Sequence, residues 1–196
     1  MTKTVEFFFD LGSPASYLAW TQLPAICDRH GAALRYRPML LGGVFQATGN
    51  ASPATVPAKA RHTMIDMQRF ARRYGVPMHF NPYFPINTLT LMRGAIGIQM
   101  RQPERLEAYL DALFRALWQD KRNLGDPAVL GAVLQEAGFD PQPLLALVAD
   151  QAVKDALKAA TEEAVKRGVF GAPTCFVGED MFFGQDRLDF VEEALA

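Results

Sequence analysis

A chain of 196 residues suits one domain, or one domain that carries a large insertion. Its 20 basic and 21 acidic side chains give a net charge of −1, and nothing in that balance indicates nucleic acid or a membrane surface as a partner. No apolar run reaches the roughly 18 residues that a transmembrane helix requires, and the early acidic residues Glu6 and Asp10 argue against a targeting peptide.

The cysteines and histidines of the chain are few and scattered. Cys27 and Cys175 are the only cysteines, they form no Cys-x-x-Cys pair, and the three histidines are isolated. None of these spacings resembles a zinc site, so we predict no metal. This cysteine usage suits a reducing compartment, and we therefore predict a cytoplasmic location.

Strand and helix patterns alternate at the start of the chain. Residues 5–9 and 34–37 are short β-prone runs, and apolar residues at helical spacing lie between them. Ser13 followed by Pro14 indicates where that helix begins, because serine is a favoured N-cap and proline is favoured at the first helical position. We expect Pro24 to kink the helix. The result is a strand–helix–strand unit, which is a right-handed crossover if the two strands are parallel.

The middle of the chain is predicted to be mostly helical. The segment from Leu40 to about Pro57 is rich in Gly, Ser, Pro and Thr, and it predicts a long irregular loop of the kind that is often functional. Helical periodicity then predicts six helices, at 59–74, 88–101, 104–119, 127–137, 141–149 and 150–167.

The pattern returns to β structure after Gly168. Residues 174–177 and 181–183 are short apolar runs separated by Gly-Glu-Asp, which predicts a β-hairpin, and residues 186–195 predict a closing helix.

The two β-rich ends can form one sheet with helices on its faces. We therefore predict a thioredoxin-like α/β domain from residues 1–41 and 168–196, because that fold divides into a β-α-β unit and a β-β-α unit. Residues 42–167 are predicted to form an inserted, all-helical lobe.

Ser13 stands where a thioredoxin-type fold places the first cysteine of its Cys-x-x-Cys motif, and Ser16 stands at the second position. A dithiol mechanism is impossible there, because the reactive species must be a thiolate. A hydroxyl, free backbone N–H groups and the positive end of a helix remain, and together they favour a bound anion such as the thiolate of a ligand. The alternative is that Ser13 is only an N-cap.

A second candidate feature is the segment 168–174, in which a glycine pair precedes Pro173 at the start of a strand. Thioredoxin-like proteins have a cis-proline beside the active-site helix, and the residue before it, here Ala172, offers its backbone to an extended peptide ligand. The alternative is an ordinary trans proline.

The sequence Phe-Phe-Asp-Leu-Gly-Ser-Pro-Ala-Ser-Tyr-Leu-Ala at 8–19 resembles the opening of the bacterial 2-hydroxychromene-2-carboxylate isomerases, which are relatives of the kappa-class glutathione transferases and of the DsbA group. Further similar stretches lie at 38–45, 49–50, 57–59, 168–174 and 183–188. The similarity extends from about residue 4 to 195, and it implies a thioredoxin-like fold of the DsbA and kappa transferase type.

The resemblance also implies a glutathione site. Ser13 matches the serine whose hydroxyl contacts the glutathione sulfur. Ala172, next to Pro173, matches the position whose backbone pairs with the cysteinyl unit. Gln185 and Asp186 match the pair that holds the γ-glutamyl end, although the kappa enzymes have serine where Gln185 stands. Without the resemblance, Asp186 reads equally well as a helix N-cap.

Asn50 and Lys59 match polar residues that reach the glutathione and the substrate side. Lys59 could meet an anionic carboxylate, and the alternative is a solvated lysine in the first turn of a helix. Tyr83, Phe84 and Asn87 lie in a loop that could line the pocket of an aromatic substrate, and the alternative is ordinary packing.

The activity that the resemblance implies is the isomerisation of 2-hydroxychromene-2-carboxylate to trans-o-hydroxybenzylidenepyruvate in aromatic hydrocarbon catabolism, with glutathione as an unconsumed cofactor and Ser13 as the catalytic residue. The thiolate of glutathione would add to the conjugated acid and be eliminated after ring opening and bond rotation. A homodimer is expected, because relatives are commonly dimers.

Three alternatives stay open at this point. One is a kappa-type glutathione transferase or peroxidase. Another is a non-catalytic protein that binds glutathione or a peptide. The weakest is a thiol-disulfide oxidoreductase that uses Cys175, since a cysteine in an apolar strand is usually a small buried hydrophobe.

Overall fold

The computed structural model describes residues 2–196, and a four-stranded mixed sheet lies at its centre. The strands are β1 (Thr4–Phe9), β2 (Ala33–Pro38), β3 (Thr174–Val177) and β4 (Asp180–Phe183), in the order β2-β1-β3-β4. β1 pairs with β2 in parallel and with β3 antiparallel, and β3 and β4 form an antiparallel hairpin. The predicted strand–helix–strand unit, whose strands prove to be parallel, and the predicted hairpin are both confirmed.

The helices of residues 2–196 are α1 (Pro14–Arg29), α2 (Leu41–Thr48), α3 (Pro57–Tyr74), α4 (Leu89–Arg101), α5 (Leu106–Trp118), α6 (Pro127–Glu136), α7 (Pro141–Ala149), α8 (Gln151–Lys166) and α9 (Leu188–Leu195). Short 3₁₀ turns precede three of them, at Pro53–Thr55, Pro103–Arg105 and Gln185–Arg187. All six helices predicted for the middle of the chain are confirmed. Helix α1 continues through Pro24 to Arg29. The closing helix begins as a 3₁₀ turn rather than as α-helix at residue 186.

The prediction of an irregular loop from Leu40 to Pro57 is wrong, because α2 occupies its first half. Two adjacent glycines disfavour a helix there, but packing compensates. Val44 is fully buried against the sheet. Gly43 lies so close to α8 that an added Cβ would come within 3.1 Å of the methyl group of Thr161. Tertiary contact therefore overrides local propensity.

Strand β1 is buried on both faces, as a central strand covered by helices should be. Phe7 and Phe9 belong to the main core and stack with their ring centroids 5.1 Å apart. Phe8 points to the opposite face and meets Phe176 of β3. The alternation of side chains along β1 therefore divides the core between the two faces of the sheet. The strand ends at Phe9, just before the loop that carries Ser13.

Candidate active site

Ser13 is the N-cap of α1, at the end of the turn that follows β1. Its backbone N–H donates to the carbonyl oxygen of Asp10 at 3.0 Å. Its hydroxyl oxygen accepts a hydrogen bond from the Ser16 N–H at 3.1 Å, and its hydroxyl donates to the carbonyl oxygen of Ala172 at 2.9 Å. The N-cap geometry predicted from Ser-Pro is confirmed. The catalytic role of Ser13 stays a prediction.

The bond between Ala172 and Pro173 is cis, as the resemblance implied. The carbonyl of Pro173 accepts from the Gly184 N–H at 3.0 Å, which joins this loop to the end of β4. The carbonyl oxygen of Ala172 accepts from the Ser13 hydroxyl. The backbone N–H of Ala172 has no hydrogen-bond partner within residues 2–196. An open N–H beside an accepting carbonyl is the arrangement that an extended peptide-like ligand can pair with.

Asp10 is a residue of this region that the sequence interpretation missed. Its side chain is almost fully buried, and its carboxylate accepts from the Gly12 N–H at 2.8 Å, the Leu41 N–H at 2.8 Å and the Thr88 hydroxyl at 3.0 Å. Burial raises the pKa of the Asp10 carboxyl, and the three hydrogen bonds oppose that shift. An acidic residue directly after an apolar strand was the available signal.

Asn50 follows α2 and reaches the loop that precedes the cis-proline. Its side-chain amide donates to the carbonyl oxygen of Phe170 at 2.8 Å, and its side-chain oxygen accepts from the Ala51 N–H at 2.8 Å. Asn50 therefore lies beside the segment that carries Ala172, since its partner Phe170 precedes Ala172 by two positions. Lys59 lies in the first turn of α3 and is exposed.

Gln185 and Asp186 lie at the end of β4, next to the glycine that bonds to Pro173. Gln185 is buried, and its backbone carbonyl accepts from the hydroxyl of Tyr74. The Asp186 carboxylate is exposed and pairs with the Arg187 guanidinium at 2.9 Å. Asp186 is not the N-cap of α9, since no side chain caps that helix.

Gly184 adopts a backbone φ of +101°, which favours glycine, and an added Cβ would collide with the Asp186 carboxylate. The glycine therefore lets the carboxylate lie directly over the backbone at the end of β4.

Tyr83, Phe84 and Asn87 lie in the loop before α4. The ring of Phe84 packs against Trp118 with centroids 5.9 Å apart, so the packing alternative describes this residue in the structure. Tyr83 is 54% exposed. The side-chain oxygen of Asn87 accepts from the Leu89 N–H at 3.0 Å at the start of α4. Within residues 2–196 no hydrogen bond joins the three to Ser13, and their substrate role stays a prediction.

Neither cysteine lies at the position of Ser13. Cys175 is buried in β3 opposite Phe7, and burial raises the pKa of its thiol. Burial also raises the pKa of Cys27 to about 11. A thiol that remains protonated is a poor nucleophile, so the structure disfavours the alternative of a cysteine-based oxidoreductase.

Residues 2–196 hold neither a cluster of metal-binding side chains nor a helix suited to span a membrane. No group of three or more histidine, cysteine, aspartate or glutamate side chains is arranged to hold a metal ion there. Among the described helices, none combines the length and hydropathy that crossing a bilayer requires.

Comparison with known proteins places this geometry in a family. Residues 4–196 match the family model described as a DSBA-like thioredoxin domain. The chain is 34% identical over 197 residues to a 2-hydroxychromene-2-carboxylate isomerase of Sphingobium xenophagum, covering 100% of this chain and 99% of that protein. It is 29% identical to glutathione S-transferase kappa 1 of Homo sapiens, covering 100% of this chain and 92% of that protein.

A solved structure of a 2-hydroxychromene-2-carboxylate isomerase superposes with a TM-score of 0.86 at 29% identity, covering 98% of this chain and 94% of that one. The predicted fold class is therefore confirmed. The match covers the serine-capped helix, the cis-proline loop and all the helices between them. The chain belongs to the DSBA-like thioredoxin family and, within it, to the group formed by the 2-hydroxychromene-2-carboxylate isomerases and their kappa-class glutathione transferase relatives.

Proposed function

We propose that this chain is a glutathione-dependent isomerase that interconverts 2-hydroxychromene-2-carboxylate and trans-o-hydroxybenzylidenepyruvate. The observation that carries the proposal is the position of the Ser13 hydroxyl, at the N-terminus of α1 and 2.9 Å from the cis-proline loop. Relatives named as this isomerase match nearly the whole chain at 34%, 31% and 30% identity, which supports the choice of reaction.

The residues around Ser13 fit glutathione. The open N–H and the carbonyl of Ala172 suit the backbone of a cysteinyl unit, and the exposed Asp186 carboxylate suits the ammonium group of a γ-glutamyl unit. The positive end of α1 suits a sulfur anion between them. When bound, glutathione would supply a thiolate that adds to the unsaturated acid and later leaves.

Ser13 has a defined task in this proposal. Its hydroxyl proton points to the Ala172 carbonyl in the structure, so the hydroxyl must rotate to donate to sulfur. The Ser16 N–H, which holds the Ser13 oxygen in place, does not have to move. Ser13 thus acts as a hydrogen-bond donor whose oxygen is held in place and which favours the anion, rather than as a nucleophile.

Lys59 is the proposed partner of the substrate carboxylate. Its ammonium group is exposed in the first turn of α3, which follows the segment that contains Asn50. Tyr83, Phe84 and Asn87 are proposed to face the aromatic part of the substrate. A cytoplasmic homodimer remains the proposed working form.

A kappa-type glutathione transferase is the second candidate. The observation that favours it is the full-length similarity to glutathione S-transferase kappa 1, at an identity only five percentage points below that of the isomerase of Sphingobium xenophagum (29% against 34%). A transferase would use the same Ser13 hydroxyl, but the sulfur would stay bonded to the electrophile.

The test is the ultraviolet spectrum of 2-hydroxychromene-2-carboxylate with the protein, recorded with and without glutathione. The isomerase predicts conversion only with glutathione, with all free thiol recovered. Loss of thiol to a general electrophile without isomerisation would instead indicate the transferase. Tight glutathione binding without either reaction would contradict both and leave a binding protein.

A further inference from the structure

A second cavity lies between α2, α4 and α8, apart from the proposed glutathione site. Its volume is about 860 Å³, which is within the range of sites for small organic ligands. None of Ser13, Asn50, Lys59, Ala172 and Asp186 lines it. The proposed isomerase reaction therefore gives this cavity no role.

The walls of this cavity combine apolar surface with an excess of cationic groups. Leu40 just before α2, Leu89 in α4 and Leu157 in α8 contribute apolar side chains. Four cationic side chains line the cavity against two acidic ones: Arg93, Lys154, Lys158 and Lys166 against Asp155 and Glu162.

Both acidic side chains already have partners. Asp155 accepts a hydrogen bond from the Gln151 amide at 2.8 Å, and Glu162 lies 3.8 Å from the Lys158 ammonium group. Within residues 2–196, Arg93, Lys154 and Lys166 form no ion pair, and the lining keeps two more positive than negative side chains.

Arg93 is the most informative of these cations. Its side chain is half-buried on α4, and its Nε is inaccessible to solvent and has no hydrogen-bond acceptor among residues 2–196. None of the ion pairs formed within those residues includes Arg93. Because Arg93 lines the cavity and is only half-buried, an anion in the cavity could pair with the accessible part of its guanidinium.

We propose that this cavity binds a small organic anion with an apolar body, whose acidic group pairs with Arg93. Lys154 on the facing helix α8 adds a second positive charge, and the leucines contact the apolar part. A guanidinium suits this role because its planar donors match a carboxylate or sulfonate. This site is separate from Ser13, so it can be occupied while glutathione is bound.

The test uses 8-anilinonaphthalene-1-sulfonate, an aromatic sulfonate whose fluorescence rises on binding, with the full chain. We expect saturable binding that Arg93→Met weakens about tenfold, because one charge-assisted hydrogen bond is lost. The matched control is Arg72→Met, an exposed arginine on α3, which should bind as the wild type does. Equal affinity of Arg93→Met and the wild type would overturn the proposal.

Two further measurements distinguish this cavity from the proposed glutathione site and test whether the probe occupies it. Saturating glutathione should leave the probe bound, and displacement by glutathione would overturn the claim of a separate site. Ala47→Phe places a ring at an exposed helix position that lines the cavity, so it should block the probe without unfolding the chain. This variant keeps the proposal testable if Arg93→Met fails to fold, and unchanged probe binding in it would contradict the proposal. The probe test does not depend on isomerase activity.

Discussion

The hydroxyl of Ser13 and the carbonyl of Ala172 are 2.9 Å apart, although 159 positions separate the two residues in the chain. This contact joins the first helix to the loop that begins the second half of the sheet. The same serine caps α1 through the Ser16 N–H at 3.1 Å. One side chain thus serves both the local structure of a helix and the proposed chemistry.

Replacing Ser13 by alanine removes both the helix cap and the proposed hydrogen-bond donor, and each loss has its own measurement. We expect Ser13→Ala to lower kcat about 10²–10³-fold, the loss typical of one donor aimed at a developing anion. The lost N-cap should also reduce the free energy of unfolding by about 1 kcal/mol. The checks are steady-state kinetics with glutathione and urea unfolding of the same sample.

Ser16→Ala is the matched control for that variant. The Ser16 hydroxyl is buried without a hydrogen-bond partner in the described chain, so its removal should not reduce stability. Its backbone N–H still holds Ser13, and kcat should stay near the wild-type value. Equal turnover by Ser13→Ala and the wild type would refute the role given to the Ser13 hydroxyl.

Asp10→Asn tests the buried carboxylate. Two backbone N–H groups and the Thr88 hydroxyl donate to the two oxygens of Asp10, but an asparagine has only one acceptor oxygen. One N–H group then faces an NH₂ group, and we expect a loss of about 1–3 kcal/mol in the free energy of unfolding at neutral pH. Unfolding by urea, followed by circular dichroism, measures this loss.

The stability of the wild type should also depend on pH through Asp10. Burial raises the pKa of this carboxyl above its ordinary value of 3.8, so folding favours the protonated form. The unfolded chain then loses its proton first, and the contribution of Asp10 to stability falls as pH rises above about 3.8 towards the raised pKa. The stability difference between the wild type and Asp10→Asn should therefore shrink as pH rises through this window. A difference that grows instead would show that the hydrogen bonds outweigh burial.

Asp186→Asn should weaken the binding of glutathione about tenfold, because a charge-assisted pair with an ammonium group becomes a neutral one. The free energy of unfolding should change little, since the pair of Asp186 with Arg187 is exposed. Isothermal titration with glutathione gives the Kd. Asp189→Asn, at an exposed neighbouring position on α9, is the control, and a similar loss in both variants would argue against a specific role for Asp186.

Gly184→Ala should disturb the same end of the site through the backbone. The φ of +101° and the nearby Asp186 carboxylate leave no room for a Cβ, so we expect a loss of at least about 1 kcal/mol and a higher KM for glutathione. In contrast, Gly131→Ala on α6 meets open space and should raise stability by up to about 1 kcal/mol. Thermal unfolding of the two variants provides the comparison.

The sequence predicted those features that depend on residues close to one another in the chain. The Ser13-Pro14 helix start and the hairpin after Pro173 were predictable because their signals are local turn and cap preferences. The helix α2 was not, because Gly42 and Gly43 disfavour it locally, whereas contacts with the sheet, α8 and Asp10 stabilise it. Tertiary packing of this kind leaves no mark in a short window.

In the proposed site too, the sequence indicated which residues matter, whereas the structure was needed to show their contacts. The family resemblance indicated Ser13, Asn50 and Asp186, but not what their side chains contact. The structure adds that Asn50 binds the Phe170 carbonyl and that Asp186 pairs with Arg187. The position of Asp10 after an apolar strand was a signal in the sequence, but its partners at positions 41 and 88 were not predictable, because they are far away in the chain.

The three hydrogen bonds to Asp10 also limit how this fold can be rearranged. The carboxylate binds the loop before Ser13, the first residue of α2 and the residue before α4 at the same time. The helical segment between β2 and β3 is therefore not an interchangeable module. A chimera that replaces it with helices from another protein must also supply donors to Asp10 at the positions of Leu41 and Thr88, or the graft will leave a buried carboxylate with only the Gly12 N–H as a partner.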